Sequence, residues 1–227
     1  MLWNILALVL FKIPDLPHRS SLHRPTRLMS KLTMILALCL VISSQAQARK
    51  ISRVVIDPGH GGKDKGANRG STYEKNLALN VAKRVEVLLK AKGMPVTMTR
   101  RSDKFISLTS RAAIANRYSN AIFISIHFNA HTSTRQTGVE TYYYGEQGKK
   151  LAAHVHLRLL SRLKPRNGDT RQRKNLAVLN KTRCPAILVE CGYISNYTER
   201  KKCLSSGYQY NCAKAIVDGI WAYKTYR

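Results

Sequence analysis

The sequence predicts an α/β fold, a single domain built on a largely parallel or mixed sheet. Short apolar runs recur along the chain and end in turn-forming residues. Between them lie longer segments whose apolar residues repeat at helical spacing, and strands that alternate with helices are the sequence form of a sheet covered by helices. A hydrophobic content of 44% over 227 residues is enough for one full-sized core.

Taken in order, residues 53–57 (RVVID) form the first strand, which stops in a Pro-Gly-His-Gly-Gly turn. Residues 74–92 make an amphipathic helix, with Leu77, Val81, Val85, Leu88 and Leu89 on one stripe and Gly93 as its stop. A strand over 95–99 and a helix over 108–118 follow. Residues 121–126 (AIFISI) are a buried-strand run that delivers His127 at its end. A further strand covers 138–144 and a basic helix covers about 148–163, while the polar stretch 165–174 reads as a loop. Residues 186–191 form the last strand, and helices over about 196–204 and 208–223 close the domain.

The amino terminus carries two apolar stretches, 2–11 and 32–42, both short for a membrane-spanning helix. From Met29 the order is a basic Lys31, an apolar run and the small-residue ending Ala46-Gln47-Ala48, which is the grammar of a cleaved export signal over 29–48. Residues 1–28 then form an upstream segment that translation from Met29 would omit, and the catalytic domain is 49–227. An uncleaved amino-terminal anchor is the rival reading.

Beyond Ala48 the chain has 34 Lys and Arg against 11 Asp and Glu, a balance of +23 out of +27 for the whole sequence. Such charge implies a polyanion, and for an exported protein this means an anionic wall or membrane surface rather than nucleic acid. Four cysteines follow the signal: Cys184, Cys191, Cys203 and Cys212. They lack C-x-x-C spacing, which argues against a zinc ribbon, and an oxidising compartment permits three pairings among them.

Four polar residues fall where this pattern places strand ends or a helix start: His60, Glu74, His127 and Glu190. In α/β sheets, sites are built at the carboxyl ends of strands. Two imidazoles and a carboxylate, His60, His127 and Glu74, make an open three-ligand Zn2+ site, leaving Glu190 for proton transfer. Singly, each has a bland alternative: a hydrogen-bonded turn histidine, or a glutamate favoured by the helix dipole. Glu190 is the hardest to explain blandly, because a carboxylate inside an apolar strand is costly without a partner.

The run Val55-Ile56-Asp57-Pro58-Gly59-His60-Gly61-Gly62, Glu74 opening a helix, Ser125-Ile126-His127-Phe128-Asn129-Ala130, and the stretch from Pro185 through Glu190-Cys191-Gly192 to Asn196 together resemble the zinc N-acetylmuramoyl-L-alanine amidases, the type 3 family. The likeness runs from about Arg53 to the end. It implies a twisted six-stranded sheet flanked by helices, zinc on His60, Glu74 and His127, and Glu190 as acid/base. The implied reaction is hydrolysis of the peptidoglycan amide between the muramic acid lactyl group and L-alanine, in the periplasm or cell wall. Division enzymes, autolysins and spore-wall enzymes all fit. A catalytically inactive wall-binding module and a zinc peptidase cutting elsewhere in the stem are the rivals. Division amidases of this kind often insert an autoinhibitory helix between the second histidine and the catalytic glutamate. Here those residues are 63 positions apart, an interval filled by ordinary elements, so no activator protein is required by the sequence.

Asn129 is a candidate substrate contact or a shaper of the loop after His127. His131 reads as a solvated loop residue, His154 and His156 as exposed helix residues, and Lys63, Lys65 and Arg69 as a basic rim or a solvated loop. Ser161 and Lys164 match S-x-x-K, the nucleophile signature of penicillin-binding enzymes, and suggest a second, DD-carboxypeptidase activity. A motif this short arises easily among many lysines.

Overall fold

A computed structural model describes residues 50–225, so the export signal and the upstream segment lie outside the described residues. Eight strands and six helices follow in order: β1 (Arg53–Pro58), β2 (Asn68–Arg69), β3 (Thr72–Tyr73), α1 (Glu74–Lys90), β4 (Val96–Met98), α2 (Leu108–Ala115), β5 (Ala121–Asn129), β6 (Val139–Tyr144), α3 (Gly145–Leu163), β7 (Asn167–Gln172), α4 (Ala177–Asn180), β8 (Ala186–Tyr193), α5 (Tyr197–Leu204) and α6 (Ser206–Thr225). The main sheet has six strands in the order β4-β1-β5-β8-β6-β7, and β2 and β3 form a separate small hairpin. The strands β4, β1, β5 and β8 run parallel. β6 is antiparallel to β8, with β7 parallel to β6, so the sheet is mixed.

Alternation along the strands decides which helices cover which face. Val54 and Ile56 of β1, Ile122, Ile124 and Ile126 of β5, and Ile187 and Val189 of β8 point into the larger core, where α1, α3 and α6 supply Val81, Leu151, Val155 and Ile216. Their neighbours Val55, Phe123 and Leu188 face a smaller core with Ala115 of α2 and Val178 and Leu179 of α4. Because β1, β5 and β8 are adjacent, parallel and buried on both faces, their carboxyl ends come together at one rim. Among the described residues no helix is long and apolar enough to cross a membrane.

Two expectations are corrected. The stretch 165–174 contains the edge strand β7, whose sequence NGDTRQ has no apolar alternation. Its order comes from backbone pairing with β6 along an exposed edge, which leaves no hydrophobic signature to read. The second concerns His156, which is buried rather than exposed. Its Nδ1 lies 3.1 Å from the Thr141 hydroxyl of β6 and its Nε2 lies 2.8 Å from Asn167 of β7, so the ring ties α3 to both strands. His154 is half-buried, with its ring 6.1 Å from that of Tyr223. His131 lies exposed in the loop after β5, as its sequence suggests.

α3 and α6 pack at the closeness that a glycine permits. A Cβ on Gly219 would stand 2.5 Å from the Val155 Cα. Gly219→Ala is therefore expected to force the helices apart and lower stability by about 1–3 kcal/mol, as overpacking does, read as a lower midpoint in denaturant unfolding. An unchanged midpoint would show that this crossing is not tight.

Candidate metal centre and active site

The rim of β1, β5 and β8 gathers His60, Glu74 and His127 so that one donor atom from each lies within 4.8 Å of the others. Glu74 is the hub. Its Oε1 is 3.0 Å from His60 Nε2 and 2.7 Å from His127 Nδ1, and it also accepts the Phe128 N–H at 3.2 Å. The other oxygen, Oε2, accepts the Ala67 N–H at 2.8 Å. The two rings meet edge to face with centroids 4.9 Å apart.

Local backbone explains how the donors converge. His60 has φ 59, a left-handed conformation rare outside glycine, and such strain persists where its surroundings enforce it. Gly59 and Gly66 leave the room. A Cβ on Gly59 would fall 2.2 Å from the His127 ring, and one on Gly66 would fall 2.6 Å from both Glu74 Oε2 and the His60 ring. His60 is further oriented through Nδ1, 2.9 Å from Asp64 Oδ1, which turns Nε2 toward Glu74 and the cluster.

Beneath the rim, two buried arginines clasp the turn that carries His60. Arg111 bonds Asp57 at 2.7 Å and donates to the carbonyls of Pro58 and His60, each at 2.7 Å. Arg100 donates to the carbonyls of Pro58, Gly59 and Lys75. Sequence reasoning missed both arginines, along with Asp57 and Asp64. A signal for Arg111 was available, since a guanidinium among the small apolar residues of LTSRAAIA calls for a buried carboxylate.

Glu190 pairs in register with His127. It is only 9% exposed, and among the described residues its Oε2 is the buried side-chain polar atom without a hydrogen-bond partner. Burial, reinforced by the nearby negative charge of Glu74, pushes its carboxyl well above the ordinary range. Burial acts on Glu74 in the same direction, but hydrogen bonds from His127 and His60 overcome it and hold Glu74 far below that range. The His60 imidazole is raised despite its burial, by Glu74 and then Asp64.

Several other candidates take other roles. Asn129 spends its side chain internally: its amide donates to Glu140 at 2.9 Å and its oxygen accepts the Ala130 N–H at 2.8 Å. Glu140 also accepts from Tyr142 and Tyr193. Lys63, Lys65 and Arg69 are exposed, and the ammonium groups of Lys63 and Lys65 lie over the Phe105 and Tyr73 rings. Ser161 sits on the exposed face of α3, and Lys164 is that helix's left-handed cap with φ 48. The two share no hydrogen bond, so they do not form the side-by-side pair that a serine nucleophile and its base require. The four cysteines are free thiols, three of them buried.

Donors of this kind beside a spare buried carboxylate, on a mixed α/β sheet, define a site suited to a metal ion. The family is more definite. The model of the N-acetylmuramoyl-L-alanine amidase family matches residues 54–222, and the chain belongs to that family of hydrolases. It is 36% identical over 173 residues to the probable cell wall amidase LytH of Staphylococcus epidermidis, covering 75% of this chain and 57% of LytH, so it spans just over half the length of that relative. A crystal structure of an N-acetylmuramoyl-L-alanine amidase from Clostridium difficile 630 superposes with a TM-score of 0.72 at 38% identity, over 75% of this chain and 95% of that one. The CwlD amidase from Clostridioides difficile, solved in complex with the GerS lipoprotein, superposes with a TM-score of 0.73 at 29% identity, over 76% and 98% of the two chains.

The upward pKa shift of Glu190 bears on stability. An acid whose folded pKa exceeds its unfolded value near 4.3 binds more protons when folded, so its contribution is fully favourable below that value and is lost as pH rises through the folded pKa. Gln carries no charge at any pH. Glu190→Gln is thus expected to raise the melting temperature of the metal-free protein at pH 7 by a few degrees, consistent with about 1–2 kcal/mol over a domain of this size. The gain should vanish below about pH 4. Equal melting temperatures at pH 7 would show that Glu190 is not destabilised by its surroundings.

Proposed function

We propose that this chain is a Zn2+-dependent N-acetylmuramoyl-L-alanine amidase acting on peptidoglycan outside the cytoplasmic membrane. The observation that carries the mechanism is the unpartnered, buried oxygen of Glu190 on the rim shared with His60, Glu74 and His127. Two imidazoles and one carboxylate, with no fourth donor in the cluster among the described residues, fit an open catalytic zinc site better than a closed structural one. A zinc ion held there supplies a Lewis acid that polarises the scissile carbonyl and brings the pKa of a neighbouring water to about 7.

The chain's own residues do the rest. Glu190, ionised, accepts a proton from the attacking water at its free oxygen. It then returns that proton to the amide nitrogen, so that the carbon–nitrogen bond breaks and L-alanine leaves with a neutral amine. Asp64 holds His60 in the tautomer that presents Nε2 to the ion. Arg100 and Arg111 hold the turn of His60 in place. Retention of every donor and of the acid/base group supports an enzyme over an inactive wall-binding module.

Export rests on the signal grammar of 29–48. Independence from an activator is supported by the interval between His127 and Glu190, where β6, α3, β7 and α4 are all built into the body of the domain.

Purified protein incubated with intact peptidoglycan and Zn2+ is expected to release stem peptides with free L-alanine amino termini, and a chelator should abolish release. Products still bearing muramic acid on L-alanine would overturn the assignment. Asp64→Ala is expected to weaken zinc affinity by about 10–100-fold, measured by competition with a chromogenic chelator. Unchanged affinity would remove Asp64 from its orienting role.

A further inference from the structure

We propose that the groove between α3 and α6 is a second binding site, taking a phosphate-bearing sugar unit of an anionic cell-envelope polymer. The idea rests on the envelope location argued above, but the groove shares no residue with the metal centre. It encloses about 610 Å³ and is lined by Lys92, Arg158, Ser161, Arg162, Asp218 and Trp221, among others. That volume is in the range of sites for single small ligands, which are about 300–1,000 Å³. The groove is broadly open to solvent, as a site that takes one unit of a longer polymer must be.

Charge in the groove is unbalanced in a way that suits an anion. Its one acid, Asp218, is already neutralised by Arg162 at 3.1 Å and Lys214 at 2.5 Å. Lys92 and Arg158 are exposed and form no ion pair with any described carboxylate. Arg158 and Arg162 also stand four residues apart on α3, where like charges repel, and a bound phosphate would relieve that repulsion. Arginine forks and lysine ammonium groups both donate to phosphate oxygens.

The remaining element is an aromatic ring. Trp221 is half-buried on α6, with the ammonium groups of Lys92 and Lys224 at 5.4 and 5.1 Å from its ring. Flexible stems let both ammonium groups turn to a phosphate and uncover the indole, whose broad apolar face suits the C–H face of a sugar. The Ser161 hydroxyl adds a neutral donor and acceptor at the same wall. This gives Ser161 a place in the structure that the S-x-x-K match does not.

The full chain contains two tryptophans, so Trp3→Phe leaves Trp221 as the only one and makes indole fluorescence a direct reporter of the groove. Titration with N-acetylglucosamine 1-phosphate at low ionic strength is expected to give a saturable change that weakens with added salt. Lys92→Glu together with Arg158→Glu should weaken it by tenfold or more. The milder pair Lys92→Gln and Arg158→Gln should weaken it less, and unaltered thermal melting of both variants would show that the fold is intact. The proposal is overturned by the absence of a saturable change, by charge reversal without effect, or by equal affinity for N-acetylglucosamine lacking phosphate. Inorganic phosphate binding as tightly as the sugar phosphate, or a single-stranded oligonucleotide binding more tightly, would also overturn it. Turnover is not read in this experiment, so its failure leaves the amidase reading intact, and an inactive amidase leaves the groove testable.

Discussion

A carboxylate with no solvent exposure, Asp57 at the end of β1, sets the conditions for everything on the rim. A buried charge is tolerable only when paired and hydrogen-bonded, and Asp57 is both: Arg111 at 2.7 Å, the Thr99 hydroxyl at 2.6 Å and the Ser125 hydroxyl at 2.8 Å. Those partners come from α2, from the residue after β4 and from β5, so one side chain fixes four segments relative to each other. Arg111 then reaches past Asp57 to the carbonyls of Pro58 and His60. The left-handed backbone of His60, which costs an L residue about 1–2 kcal/mol, is enforced from below by this clasp. The His60 ring is thereby held on the rim by the protein's own contacts, which is the preorganisation that a functional site needs.

On that fixed platform, two glutamates of the same rim are driven to opposite ionisation. Glu74 is surrounded by the donors His60, His127 and two backbone N–H groups, and stays charged. Glu190 lacks such donors at Oε2 and has Glu74 for a neighbour, so its charged form is disfavoured. Environments that push two like groups apart in this way separate ligand from acid/base without any difference in residue type. The stabilised carboxylate can hold a cation, and the destabilised one can exchange a proton.

The sequence made the sheet and the four polar residues of the rim legible for a physical reason. Strands β1, β5 and β8 are buried on both faces, so they appear as unbroken apolar runs, and each polar residue at or within their ends stands out. β5 extends through Asn129, which places His127 inside the strand rather than after it, and this does not move it from the rim. What stayed hidden was whatever depends on long-range partners. β7 has no apolar alternation and is held by backbone pairing with β6 and by the partners His156 and Glu140. His156 looks like a surface residue on a basic helix until β6 and β7 arrive to bond it. Arg100 differs in no local way from the many other basic residues of a strongly cationic chain, and Arg111 does so only by its small apolar neighbours, so burial is what reveals the pair.

The same chain concentrates its acids. Of its 12 acidic residues, Asp57, Asp64, Glu74, Asp103, Glu140 and Glu190 lie in or beneath the catalytic rim, and most of them are tied to specific donors. Cations gather there too: Arg100, Arg111 and Lys75 bond the same region, and Lys63, Lys65 and Arg69 stand exposed beside it. Asp57 answers to Arg111, Asp103 to Lys75 and Asp64 to His60, so most of the charge at the rim is spent on fixing backbone and rings in place. The exposed cations, on the helices and beside the rim alike, are what a polyanion would meet first.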